Sequence, residues 1–283
     1  MKFGVYVAPF GDFANPRLLA DVAREAEEAG WEGFFIYDHV ARPEAIPVAD
    51  AWIALSAIAM QTQRVRIGAM VTPLARRRPW KVARETVSLD HLSGGRLVLG
   101  VGGGHRPEEF DAFGEATTPR ARAAMLDEAL EVVTALWSGA PVNHGGKYFH
   151  VEGATFLPTP FQQPRIPIWV GGRWPNRGPV RRAARWDGVF PLARETGALL
   201  TPAEVREIVA VIKRHRSDLS SFDVVQLGSG STEPGAGERI TAYADAGATW
   251  WLEDIRPSRF PQGESSWPID AMRDRIRLGP PVM

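Results

Sequence analysis

The chain contains no cysteine. That absence removes disulfides, thiolate catalysis and thiolate metal sites together. Net charge is also missing, because 33 basic side chains balance 33 acidic ones. Nucleic acid and anionic membrane are therefore poor candidates for the main partner. No run of ~20 apolar residues long enough to span a bilayer occurs, and Lys2 leads directly into a strand pattern without a signal peptide. A cytoplasmic location is the default expectation. Several chemical signatures are absent as well. There is no GxSxG nucleophile elbow and no carboxylate pair of glycosidase type. The histidines show no metal-ligand spacing, so no metal is expected. Gly100, Gly102 and Gly103 do not lead into a helix with an acid ~20 residues on, so the dinucleotide fingerprint is missing and any nicotinamide use is indirect.

What is present is a regular alternation. The stretch from Val65 to Gly104 sets the pattern. Residues 66–72 form an apolar run that ends at Thr72-Pro73. Residues 79–93 carry a helical apolar face, with Pro79 to start it and Gly94-Gly95 to stop it. Residues 97–101 are a second buried strand, opening into Gly102-Gly103-Gly104. Two continuous apolar strands joined by a helix make a βαβ unit of a parallel sheet.

The rest of the chain repeats that unit. Strands are expected at 2–8, 33–37, 166–170, 188–191, 222–227 and 249–252. Helices are expected from Pro16 to Gly30 and over 50–60, 119–137, 176–186, 202–212, 236–246 and 267–278. The loop 105–119 holds too many breakers for a core element. Residues 139–165 interrupt the alternation and read as an inserted hairpin. Eight strands alternating with eight helices suit a closed (β/α)8 TIM barrel, and 283 residues, 45% of them hydrophobic, fit a fold of ~250 residues. A single barrel domain over 1–283, with the small insertion after the fourth helix, is the expectation. An open doubly wound sheet is the rival architecture.

Active sites of such barrels lie where the strands end. The strand ends here are Pro9-Phe10, Asp38-His39, Thr72 to Arg78, Gly102 to Arg106, Gly171 to Arg177, Pro191-Leu192, Gly228 to Ser231 and Glu253-Asp254. Three glycine-rich loops let backbone approach a ligand closely. Arg76, Arg77, Arg78, Arg106, Arg173 and Arg177 add positive charge, and arginine suits phosphate and carboxylate. The ligand should be anionic. His39 can donate or accept a proton near neutral pH, with Asp38 to orient it or position the chain. Trp174 is placed at a strand end where it can wall a pocket. Glu108 and Glu109 cap their loop or pair with arginine. Anion-binding loops beside one titratable histidine, without a nucleophile, suggest that a cofactor carries the chemistry. A barrel hydrolase or isomerase of a phosphorylated metabolite, and a flavin-binding protein without turnover, are the competing readings.

Several segments carry a resemblance to a known family: Asp38-His39, LDHLSGGRLVLGVG (89–102), EFxxFG at Glu109 to Gly114, LWSG (136–139), Tyr148-Phe149, PIWVGG (167–172) and Asp187-Gly188. In this order the chain resembles the bacterial luciferase-like flavin-dependent oxidoreductases and their coenzyme F420-dependent relatives. The resemblance implies FMN or F420, with FMN the first expectation, acting on a small-molecule substrate by hydride transfer or oxygen activation. It implies a homodimer, and a separate flavin reductase if oxygen is used. The cofactor ring would lie against Ala69, Met70, Val71 and Thr72, where relatives carry a non-prolyl cis peptide, here Ala69–Met70 or Met70–Val71. The phosphate end would lie near Gly102, Gly103 and Gly104, or near Gly171 and Gly172 with Arg173 and Arg177, and Arg76, His105 and Trp174 are further cofactor-binding candidates. His39 matches a catalytic or ring-facing histidine. Sugar-phosphate-oxidising relatives carry a carboxylate where this chain has Gly103, which disfavours that substrate. The substrate pocket would come from loops 10–15, 40–50, 103–118 and 253–265.

Overall fold

The computed structural model describes residues 1–42, 44–115, 118–230, 232–260 and 267–281. Strands β1 (Lys2–Val7), β2 (Gly33–Ile36) and β3 (Arg66–Ala69) alternate with helices α1 (Pro16–Glu28) and α2 (Ala51–Gln61). A two-residue strand β4 (Thr72–Pro73), helix α3 (Pro79–Leu92) and strand β5 (Leu99–Gly102) follow. After a short helix α4 (Glu108–Asp111) comes the long α5 (Pro119–Trp137), and then the hairpin β6 (Val142–Gly145) and β7 (His150–Ala154). The second half runs β8 (Ile168–Arg173), α6 (Arg177–Ala183), β9 (Gly188–Leu192), α7 (Pro202–Lys213), β10 (Asp223–Gly228), α8 (Ala236–Asp245), β11 (Trp250–Ile255) and α9 (Ile269–Arg277).

Helix starts follow local chemistry. Asn15, Asp50, Thr118 and Thr201 each cap a helix through a side-chain oxygen, and Pro16, Pro119 and Pro202 stand at the first helical position. The barrel sheet runs β3-β2-β1-β11-β10-β9-β8-β5-β4 with every pair parallel. Its two ends meet. Val98 N–H donates to the Ile67 carbonyl at 2.9 Å, and Ile67 N–H to the Arg96 carbonyl at 3.0 Å. The molecule is a (β/α)8 barrel, and this closure excludes the open sheet. One apolar cluster fills the lumen, with Tyr6, Phe35, Trp169, Phe190 and Trp250 as its largest members. A second, larger cluster packs the outer faces of the strands against the helices.

Three elements depart from the sequence expectation. The strand expected over 66–72 divides, because its backbone turns at Met70–Val71, where the peptide is cis. Its remnant β4 pairs with β5, while β3 pairs with β2. Glu253 and Asp254 lie inside β11 and not after it, because β11 keeps pairing with β1 out to Ile255. The breaker-rich loop 105–119 contains α4, whose Glu109 and Phe110 are buried. The hairpin at 139–165 docks on the barrel through Glu128, which accepts the N–H groups of Tyr148 (2.9 Å) and Phe149 (2.7 Å). Asp90 holds the segment that follows, accepting Gln162 N–H at 2.9 Å and Gln162 Nε2 at 2.7 Å.

Candidate active site

The strand ends surround a cavity of about 890 Å³. Its floor is backbone, formed by Gly102 at the end of β5 with Gly103 and Gly104 after it, and by Gly171 and Gly172 in β8. Between the two glycine segments stands Val71. A Cβ on Gly102 would lie 2.6 Å from Val71 Cγ2, and one on Gly171 would lie 2.7 Å from Val71 Cγ1. The irregular end of β3 therefore projects into space that only glycines on its neighbours leave open. Tyr6 supports the same turn from below by donating its hydroxyl to the Met70 carbonyl.

One wall is aromatic. Tyr37 stacks on Tyr6 at 4.1 Å, and His39 lies 6.1 Å from Tyr37 and 5.4 Å from Phe10. Burial, foremost, raises both tyrosines well above the ordinary phenol range, so they stay neutral. The other walls carry charge. Arg42, Arg106, Arg120, Arg122, Arg173, Arg182 and Arg256 line the cavity, against only Asp38 and Glu109 among the described acidic residues. Arg173 is held by the carbonyls of Ala193 (2.7 Å) and Arg194 (2.9 Å), which orient it without neutralising it. Arg182 is clamped by Asp127 and Arg256 by the buried Asp254. Burial, followed by the positive charges of Arg173 and Arg106, lowers the titration of His105, which favours its neutral form.

Behind the aromatic wall runs a chain of charges. Arg77 meets Asp38 at 2.9 Å, Asp38 meets Arg76 at 3.1 Å, and Arg76 meets Glu109 at 2.9 Å. Glu109 in turn meets Nδ1 of His39 at 2.9 Å and accepts the Val40 N–H at 2.9 Å. Burial alone would raise Glu109. The His39 hydrogen bond, the charges of His39 and Arg76 and the Val40 N–H outweigh it and bring Glu109 down to about 2.

Of the residues assigned from the sequence to proton transfer or to the cofactor, Asp38, His39, Met70, Val71, Gly102, Gly103, Gly104, His105, Gly171, Gly172 and Arg173 line the cavity. Five do not. Ala69 is still paired within β3 and packs in the outer core. Thr72 is fully buried within β4. The Arg76 side chain is only 4% exposed and belongs to the charge chain behind the wall. Trp174 is buried in the outer core, and Arg177 is exposed at the start of α6. Asp38 does not orient His39, since its oxygens are taken by Arg76 and Arg77. Sequence reasoning missed Tyr6 and Tyr37, which sit in apolar strand runs, and Arg122 and Arg182, which sit on helices. Only the alternation along β1 marks Tyr6 as facing the lumen. Phe10, Arg42, Ile46, Arg256, Pro257 and Ser258 confirm that loops after β1, β2 and β11 contribute. Ser231 and residues 261–265, also expected near the mouth, lie outside the described residues. Among the described residues no group of His, Cys, Asp and Glu is arranged to hold a metal ion, and no helix is long and apolar enough to cross a membrane.

Known proteins share this architecture. An F420-dependent secondary alcohol dehydrogenase, solved with an F420-acetone adduct, superposes with a TM-score of 0.75 at 19% identity, covering 89% of this chain and 92% of that one. The coenzyme F420-dependent tetrahydromethanopterin reductase of Methanopyrus kandleri gives 0.75 at 19% identity, covering 98% and 96%. At these identities the likeness shows the fold. In sequence, the chain is 35% identical over 168 residues to an F420-dependent glucose-6-phosphate dehydrogenase of Gordonia bronchialis. That match takes in 57% of this chain and 48% of the relative, so it spans about half the relative's length. A family model described as luciferase-like monooxygenase matches residues 1–267, and the chain belongs to that family.

Proposed function

We propose that this protein is an oxidoreductase that uses the deazaflavin F420 to move a hydride to or from a small organic alcohol or carbonyl compound. One observation carries the reading: a glycine-floored cavity with seven arginines and two carboxylates on its walls. Arg42, Arg106, Arg182 and Arg256 each pair with a carboxylate outside the lining, whereas Arg173 is held by carbonyls alone, and guanidinium so placed suits a ligand with several negative charges. F420, with a phosphodiester and a glutamyl tail, has more of them than FMN. The expectation of FMN finds no support in the curated relative quoted above, which is named for F420. The residues also fit the ring of either cofactor. Val71 stands in the gap left by Gly102 and Gly171 and offers a flat apolar contact, flanked by Met70. Gly103, Gly104, Gly172 and Arg173 would hold the phosphate.

When bound, F420 supplies a ring carbon that accepts or gives a hydride. The protein's part is to exclude water, orient the substrate and move its hydroxyl proton. His39 is the cavity group suited to that last task. Glucose 6-phosphate, named for the Gordonia protein, is not carried over, because this chain has Gly103 where sugar-phosphate-oxidising relatives carry a carboxylate. A separate flavin reductase belongs to the FMN reading alone. The homodimer is part of the proposal as well, supported by Ile53 and Met60 standing exposed on α2. Sedimentation should give twice the 31.1 kDa chain mass, and a monomer would remove that part.

Equilibrium binding followed by absorbance and fluorescence tests the cofactor. F420 should bind at least about tenfold more tightly than FMN, a difference of ~1.4 kcal/mol. Tighter binding of FMN would replace hydride transfer by oxygen activation. Binding of neither would leave the barrel hydrolase or isomerase as the better reading.

A further inference from the structure

We propose that Glu109 is a positioning residue that makes Nε2 of His39 the atom through which protons pass between protein and substrate. The inference rests on the oxidoreductase reading above and assigns within it a role that neither the strand-end pattern nor the arginine-rich walls suggest.

The argument is one of valence. An ionised carboxylate only accepts hydrogen bonds. Glu109 is ionised at any pH where the protein works. One of its oxygens faces Nδ1 of His39 and the other faces Arg76. Nδ1 must therefore carry a hydrogen whether the imidazole is neutral or charged. In the neutral ring the free lone pair is then on Nε2, and no described protein group bonds that atom. His39 lines the cavity, so Nε2 is the ring nitrogen left for a ligand.

The charges behind His39 support the same conclusion. Asp38 and Glu109 are matched by Arg76 and Arg77, so this buried set is neutral before His39 is counted. A proton gained by His39 is placed 2.9 Å from a carboxylate. The other groups around the ring are Tyr37 and Phe10, stacked or tilted against it, and His105 across the mouth. Arg42 and Arg106 are each paired with a neighbouring glutamate, Glu44 and Glu108. No second carboxylate among the described residues bonds His39.

In alcohol oxidation the substrate O–H bond breaks and an Nε2–H bond forms. The oxygen's electron pair closes the C=O bond as the hydride leaves carbon, for which a bound oxidised deazaflavin would be the acceptor. In carbonyl reduction Nε2–H returns its proton to the oxygen. Glu109 touches neither substrate nor cofactor in this scheme. It sets the tautomer and tethers α4 to the end of β2, 70 residues away in sequence.

Long-range ¹H–¹⁵N NMR of the full chain, imidazole-labelled and without cofactor, tests this across pH. His39 is assigned by the signal lost in His39→Gln. The wild type should show the neutral ring with Nδ1 protonated. Glu109→Gln should shift the ring toward the Nε2–H tautomer, because the amide can offer Nδ1 a donor where the carboxylate only accepts. In turnover the same variant should lose at least tenfold in kcat. The Kd for F420 should stay within about twofold. A wild-type ring found as Nε2–H overturns the proposal, and so does a Glu109→Gln ring with unchanged tautomer. Should that variant fail to fold, the wild-type spectrum decides together with Glu109→Asp, which should keep the Nδ1–H form. Binding of neither F420 nor FMN would overturn the catalytic role along with the oxidoreductase reading, and the tautomer measured without cofactor tells the two failures apart.

Discussion

Glycines 102 and 103 are neighbours with opposite tolerance. A Cβ on Gly102 would meet Val71 Cγ2 at 2.6 Å, whereas one on Gly103 meets nothing within 4 Å. Gly102→Ala must push Val71 and the turn at Met70–Val71 away from the cavity floor. Overpacking of this kind costs about 1–3 kcal/mol. We expect Gly102→Ala to lower Tm by several degrees and to weaken cofactor binding at least tenfold. Gly103→Ala should leave Tm unchanged within a degree. Equal effects of the two substitutions on thermal unfolding would show that Val71 is not wedged between the strands. The same residue scale explains why a glycine-rich loop is informative and ambiguous in sequence. The run Gly102-Gly103-Gly104 marks close approach of something. Only the fold shows that for Gly102 the approaching group is Val71.

Among the elements, Arg76 joins three that are distant in sequence. It follows β4, donates to the Asp38 carbonyl at 2.8 Å at the end of β2, and pairs with Glu109 on α4. The sequence places it among cofactor-binding arginines, and the fold places it behind the wall. The two positions predict different phenotypes. Removing one partner from a buried charge cluster costs about 3–5 kcal/mol, because an uncompensated charge stays behind. Arg76→Met should therefore lower stability by that order in urea unfolding, and the loss should be present without any cofactor. A variant of normal stability that merely binds F420 more weakly would return Arg76 to the cavity. Helix α4 itself was hidden by its breakers. Pro107 and Gly114 bound it so closely that no helical period can develop over 108–111. It forms because Phe110 packs under Gly104 and Glu109 finds Arg76 and His39.

For the whole molecule, stability should depend on pH through its carboxylates. The hydrogen bond to Arg273 is the main cause that holds Glu25 below its ordinary 4.5. Burial pushes Glu27, Glu109, Asp127 and Glu128 up, and their hydrogen bonds to backbone N–H groups, arginine or histidine push them further down. Such groups bind protons more tightly in the unfolded chain, so folding loses free energy as pH falls through the folded values. Asp223 and Asp254 are raised by burial, so they oppose the loss. The lowered groups, joined by the exposed Glu44, Glu108 and Asp218, outnumber the two raised ones and set the sign. Tm should be nearly flat above pH ~5 and fall between pH ~4.5 and ~2. Calorimetry that shows Tm constant or rising from pH 5 to 3 would refute this balance. Glu27→Gln should flatten the fall, since Glu27 accepts the N–H groups of Gln63, Arg64 and Val65 at the entry to β3.

The barrel was legible in the sequence because its information is local. Apolar runs of strand length, helical stripes such as Leu19-Val22-Ala23-Ala26 and caps such as Asn15-Pro16 each specify an element from within a few residues. Alternation of the elements then leaves few topologies, and the strand ends point to the site. His39 and the five floor glycines were accessible on that basis, and Val71 came only with the family resemblance. Tertiary structure alone decided which charges face the ligand. Arg76 and Arg173 are chemically alike and both stand at strand ends, yet one is sealed behind Glu109 and the other lines the cavity. The difference depends on α4 docking against β2 across 70 residues, which no local period encodes. Asp38 adjoins His39 in the chain, but the long side chains of Arg76 and Arg77 reach it first and leave the histidine to Glu109.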